Sequence, residues 1–144
     1  MKSNKDENQN SVVFWICQII VRRFFSADLF LDTFNFNAHS TACDALWAGL
    51  PLITKKGEQF VARCASSFLN AIELPELITN TEKEYEDLAL ELATNKTLLS
   101  SITKKLADNR LSTPLFNIEQ YTKDLEDSFE KAYAYCNYQS PKKD

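Results

Sequence analysis

Asn37-Ala38-His39-Ser40-Thr41-Ala42-Cys43-Asp44-Ala45-Leu46-Trp47-Ala48-Gly49-Leu50-Pro51 contains the chain's single histidine and one of its two glycines. Ahead of it, Ala27 to Thr33 has an apolar centre closed by Asp32, the pattern of a short buried strand. Ser40 to Ala48 reads as a helix, with Ala42, Ala45 and Leu46 at helical spacing and Gly49 as its C-terminal stop. Pro51 prevents continuation, and Leu50 to Thr54 resumes as a second strand. The order is strand, polar loop, helix, strand, which is the unit of an α/β fold with a parallel sheet.

A helix entered from a strand in this way presents its first amide N–H groups, and the positive end of its dipole, at the carboxyl edge of the sheet, where phosphates bind. Ser40 and Thr41 add hydroxyl donors there. Asp44 lies one turn further on, placed to accept from sugar hydroxyls, and His39 could donate to a phosphate or stack on a ring. The same residues also fit a capped helix in which Asp44 is solvated and nothing binds.

Working outward, Gly57-Glu58 predicts a helix to about Asn70 with Phe60, Val61, Cys64, Ala65 and Phe68 as its apolar stripe and Arg63 off it at the surface. Leu74 to Ile78 predicts a short strand. Thr81 with Glu84 forms a capping box ahead of Tyr85, Leu88, Ala89 and Leu92. A further helix begins near Asn95 with Leu98, Leu99, Ile102 and Leu106, and Ser112-Thr113-Pro114 breaks the chain. The last helix runs from about Asn117, carrying Ile118, Tyr121, Leu125, Phe129, Ala132 and Tyr133. Its stripe is expected to pack on the chain's own sheet, or else to be exposed and invite self-association or a partner.

The chain of 144 residues suits one domain, and 44% hydrophobic content is ample for a core. A net charge of −4 gives no footprint for nucleic acid. Cysteines 17, 43, 64 and 136 form no C-x-x-C pair and no metal-ligand cluster, so they read as thiols of a reducing compartment, with Cys43 and Cys64 as small buried hydrophobes. Residues 1–11 are expected to be a disordered tail, 12–136 one domain, and 137–144 a flexible end. Val12 to Ile20 is too short for a membrane helix and is expected to be a buried strand or short helix; no membrane association is expected.

Ala27-Asp28-Leu29-Phe30-Leu31-Asp32-Thr33, the Asn37 to Thr41 loop and Asp44 to Pro51 together resemble the C-terminal part of the catalytic region of the O-GlcNAc transferase family, SPINDLY-type proteins included. The resemblance continues through Gly57-Glu58, Arg63, Ala65-Ser66, Glu76 to Ile78, Glu84 to Ala89 and Ser112 to Asn117, and ends at Gln120-Tyr121-Thr122. It implies the C-terminal, Rossmann-like half of a GT-B fold, with few parallel strands and many helices. It implies transfer of N-acetylglucosamine from UDP-GlcNAc to serine or threonine of protein acceptors, with inversion and with no metal or other cofactor. By that match His39, Ser40 and Thr41 lie against the UDP diphosphate and Asp44 binds the ribose.

The resemblance also implies what this chain does not supply. The repeat array, the first Rossmann-like half and the catalytic groups near the acceptor find no place before Val21, so no catalytic residue is assigned here. Where the family has a histidine on the uracil and a lysine three residues earlier, this sequence has Ile20 and Cys17. The expected function is therefore a UDP-binding half-site in the cytoplasm, or the nucleus of a eukaryote, completed by a missing half. The alternative is a catalytically inactive remnant acting as a helical interaction module.

Overall fold

A computed structural model describes residues 22–139, with side chains through Cys136. The expectations for residues 1–11, Val12 to Ile20, Cys17 and residues 140–144 lie outside the described residues. The elements are β1 (Phe30–Leu31), α1 (Ser40–Ala48), β2 (Leu52–Lys55), α2 (Cys64–Ala71), β3 (Ile78–Thr79), α3 (Glu82–Thr94), α4 (Lys96–Asn109) and α5 (Ile118–Gln139). Short 3₁₀ turns stand at Phe60–Ala62, Pro75–Leu77 and Pro114–Phe116.

The three strands form a parallel sheet in the order β1-β2-β3, with Phe30 opposite Leu52 and Thr54 opposite Ile78. β2 is central and buried through Thr54, so it reads as the continuous apolar run of a strand covered on both faces. Leu46 and Ala42 of α1, Leu69 of α2, Tyr85 and Leu92 of α3, and Ile102 and Leu106 of α4 close one core around Leu52 and Ile53. The structure is thus mixed α/β, with a small parallel sheet and helices outnumbering strands.

Helix ends follow local chemistry. Gly49 takes φ +87° after α1, and the Leu50 N–H reaches back to the Ala45 carbonyl at 2.9 Å, a Schellman closure. Arg110 donates to the Trp47 carbonyl at 2.7 Å, placing a cation at the negative end of α1. The hydroxyl of Thr81 accepts from Glu84 N–H at 3.1 Å, while the Glu84 carboxylate accepts from Asn80 N–H at 2.8 Å, one residue earlier than in the standard box. Asn95 and Asn117 accept from the amides of Leu98 and Gln120.

Four expectations need correction. β1 covers only Phe30–Leu31, and Leu31 is exposed rather than buried. The helix expected from Glu58 to Asn70 is a 3₁₀ turn followed by α2. Its buried side is Ala62, Ala65, Ser66 and Leu69, because the break at Arg63 rephases the stripe and leaves Phe60 exposed. The strand expected over Leu74 to Ile78 is mostly a 3₁₀ turn, since Pro75 fixes φ and offers no N–H to a ladder. Finally, every side chain of α5 from Ile118 to Cys136 is exposed, so its stripe does not pack on the sheet.

Candidate functional site

The loop between β1 and α1 is held by a buried carboxylate. Asp32 accepts from the Ala38 N–H at 2.7 Å through Oδ1 and from the Thr54 hydroxyl at 2.6 Å through Oδ2. Thr54 belongs to β2, so one side chain ties the loop's far end to the central strand. Tyr85 of α3 donates its hydroxyl to the Asp32 carbonyl at 2.9 Å, and its ring meets Phe34 edge-on at 5.0 Å. Burial, with the Asp32 charge adding to it, pushes the Tyr85 hydroxyl up to about 12. Asn37 completes the brace: its amide N–H donates to the Val61 carbonyl and its Nδ2 to the Thr33 carbonyl, both at 2.8 Å.

This frame delivers the start of α1. The Ala42 and Cys43 N–H groups both turn back to the His39 carbonyl, at 3.1 and 3.2 Å, and the amides of Ser40 and Thr41 stand ahead of them at the helix mouth. His39 occupies the N-cap position without making a side-chain cap, and its ring stacks on Phe36 at 5.1 Å. Leu31, Thr33, Asn37, His39, Ser40 and Thr41 line a cleft of about 450 Å³ at this point. Two buried side-chain atoms of its lining residues, Asn37 Oδ1 and His39 Nε2, have no hydrogen-bond partner among the described residues.

The structure therefore brings His39, Ser40 and Thr41 together on one cleft. Asp44 is exposed one turn along α1, outside the residues that line it. Its charge, after burial, raises the pKa of neighbouring Cys43. Cys43 and Cys64 are half-buried rather than enclosed. Asp32 and Asn37 were not singled out as site residues from the sequence; the available signal was a carboxylate ending one strand and a hydroxyl, Thr54, inside the next.

A second cleft, of about 750 Å³, adjoins the first at His39 and is lined by Lys56, Glu58, Phe60, Arg63 and Phe68 among others. Its rim is the turn from Gly57 to Ala62, closed by Gly57 N–H to the Ala62 carbonyl at 2.8 Å. A Cβ on Gly57 would stand 2.5 Å from Ala62 Cβ, so only glycine allows this closure. The Asn37–Val61 hydrogen bond joins that turn to the first cleft's loop.

Chemically, the first cleft suits an anion. The first-turn amides of α1 and the hydroxyls of Ser40 and Thr41 stand at its edge, where an anion is favoured by the helix dipole. Among the described residues no group of three or more His, Cys, Asp or Glu is arranged to hold a metal, and no helix is long and apolar enough to cross a membrane.

Comparison with known proteins gives the chain a family. The profile of glycosyl transferase family 41 matches residues 8–125. The chain is 42% identical over 123 residues to a probable UDP-N-acetylglucosamine–peptide N-acetylglucosaminyltransferase, SEC, of Arabidopsis thaliana, covering 84% of this chain and 13% of that protein. It is 40% identical over 107 residues to the UDP-N-acetylglucosamine–peptide N-acetylglucosaminyltransferase of Caenorhabditis elegans, covering 74% of this chain and 9% of that one. A solved O-GlcNAc transferase variant of Thermobaculum terrenum superposes with a TM-score of 0.73 at 29% identity, over 78% of this chain and 22% of that chain. The chain thus spans a small part of the length of the relatives it matches.

Proposed function

The chain belongs to glycosyl transferase family 41, and from that premise we propose that it is the donor-binding part of a UDP-GlcNAc-dependent peptide N-acetylglucosaminyltransferase. The diphosphate of the donor sits in the cleft at the mouth of α1, against the Ser40 and Thr41 amides and hydroxyls, with His39 at its edge. Asp44, one turn along, takes the ribose hydroxyls as the ligand extends over α1. When the sugar leaves for a serine or threonine hydroxyl of a protein acceptor, charge grows on the diphosphate, and prepositioned amides and hydroxyls stabilise it there. No residue described here is assigned as the acid or base, and turnover needs groups from the family's other half.

One observation carries this reading. The start of α1, with the Ser40 and Thr41 amides and hydroxyls, stands on a cleft whose lining residues Asn37 and His39 each keep a buried polar atom without a partner among the described residues. Buried polar groups are ordinarily paired, so a small side-chain adjustment that turns either atom to a bound ligand would be favourable. The half-buried, unbridged thiols of Cys43 and Cys64 suit a cytoplasmic setting or, in a eukaryotic cell, a nuclear one.

The test is a titration of the purified chain with UDP and UDP-GlcNAc, followed by amide chemical shifts. Saturable shifts at residues 39–41 that Asp44→Ala weakens support the proposal; no saturation at millimolar ligand sinks it. The exposed face of α5 favours a second reading, a helical interaction module without turnover, whose partner is either a missing half or a second copy. That reading predicts association in the absence of nucleotide.

A further inference from the structure

The larger cleft beyond His39 has a composition that the diphosphate site does not use. Lys56 and Arg63 line it, both exposed, and neither forms an ion pair among the described residues, whereas nearby Lys55 is bound to Glu82. Against the single carboxylate of Glu58 they leave an excess of positive charge, in a chain whose net charge is −4. Phe60 stands on the rim at 81% exposure.

That exposure is built rather than accidental. Phe60 begins a 3₁₀ turn closed by the Gly57–Ala62 hydrogen bond, by the Cys64 thiol donating to the Phe60 carbonyl at 3.4 Å, and by the tether from Asn37 to Val61. A large aromatic exposed to water on a hydrogen-bonded turn at the edge of a groove is the kind of anchor that protein-recognition surfaces use. A hexose subsite would bury the polar groups that fix its orientation. Here Glu58, Phe60 and Arg63 are all exposed along an open groove several times larger than one sugar ring.

We propose that this groove receives an extended polypeptide bearing an acidic side chain. Phe60 packs on its apolar residues, and Lys56 and Arg63 face its carboxylate. The inference rests on the donor-site reading for its biological sense, since the groove meets the diphosphate cleft at His39 and an acceptor hydroxyl must approach from a neighbouring surface. It thereby places an acceptor preference, for acidic residues near the modified serine or threonine, on this half of the enzyme.

The experiment titrates the labelled full chain with three short serine-containing peptides, flanked by glutamate, by glutamine or by lysine. The glutamate peptide is expected to shift the amides of residues 57–64, to weaken about fivefold or more between 0.05 and 0.3 M salt, and to lose affinity on Arg63→Glu, Lys56→Glu or Phe60→Ala. Because these side chains are at the surface, the dispersed core signals of each variant should remain in place. Equal binding of the lysine and glutamate peptides overturns the proposal, as do shifts located elsewhere or free N-acetylglucosamine moving the same amides when the peptides do not. So does concentration-dependent self-association that covers Phe60. UDP is titrated separately: if it fails while the glutamate peptide binds, only the donor-site reading falls, and the reverse result removes only the groove.

Discussion

Asp32 carries more of this site than any residue that would touch a ligand. Its carboxylate pairs with one backbone amide and one hydroxyl, both inside the protein. Asp32→Ala strands both donors and is expected to cost about 2–3 kcal/mol in denaturant unfolding. Asp32→Asn can accept from Ala38 and donate to Thr54, so it should cost less and keep UDP binding that the alanine variant loses. Tyr85, which donates to the backbone carbonyl of Asp32, makes the fold sensitive to base. Its folded-state pKa of about 12 lies above the usual value of 10, so the unfolded chain releases the proton first. The associated stability is complete below about pH 10 and disappears as pH rises towards 12. Tyr85→Phe should flatten this decline in thermal melts taken across that range, at the cost of the hydroxyl's bond to Asp32. Glu73 adopts φ +59° after α2, where the Leu74 N–H closes on the Leu69 carbonyl. Glu73→Gly relieves that conformation and is expected to raise stability by up to about 1 kcal/mol.

At the scale of elements, legibility depended on how local the cause was. Caps made by Thr81, Asn95 and Asn117 could be read because each involves a few consecutive residues, and Asn95→Ala should cost about 1 kcal/mol. The stripe on α2 could not be phased, because its break at Arg63 is imposed by the Gly57–Ala62 closure and the Asn37 tether. The strand at Leu74 is short for a local reason, since Pro75 starts a 3₁₀ turn inside the apolar run and offers no N–H to the ladder. α5 is 22 residues long with Ile118, Tyr121, Phe129 and Tyr133 all exposed. A helix with so little cover among the described residues is marginal in water, so its amides from Ile118 to Tyr133 should exchange far faster than those of α3 and α4 in dilute protein. Protection of α5 equal to theirs would show that something covers it.

For the whole molecule, the sheet is short and the clefts lie together at one end of it. The exposed stripe of α5 and the groove at Phe60 are separate apolar surfaces, and they predict different behaviour. On the interaction-module reading, sedimentation should detect association through α5 that Tyr121→Glu with Phe129→Glu abolishes, while the peptide binding proposed at Phe60 should survive those changes. The sequence by itself determined the βαβ unit and the grouping of His39, Ser40 and Thr41, because strand, loop and helix are contiguous, and the family, because the matching blocks follow in order along the chain. Tertiary structure alone decided what holds that loop and what surrounds it. Asp32 meets Thr54 across 22 residues and Tyr85 across 53, and the Asn37–Val61 hydrogen bond places Phe60 beside His39. Such partners depend on how β2 and α3 pack against β1, and packing of distant segments has no local signature in the chain.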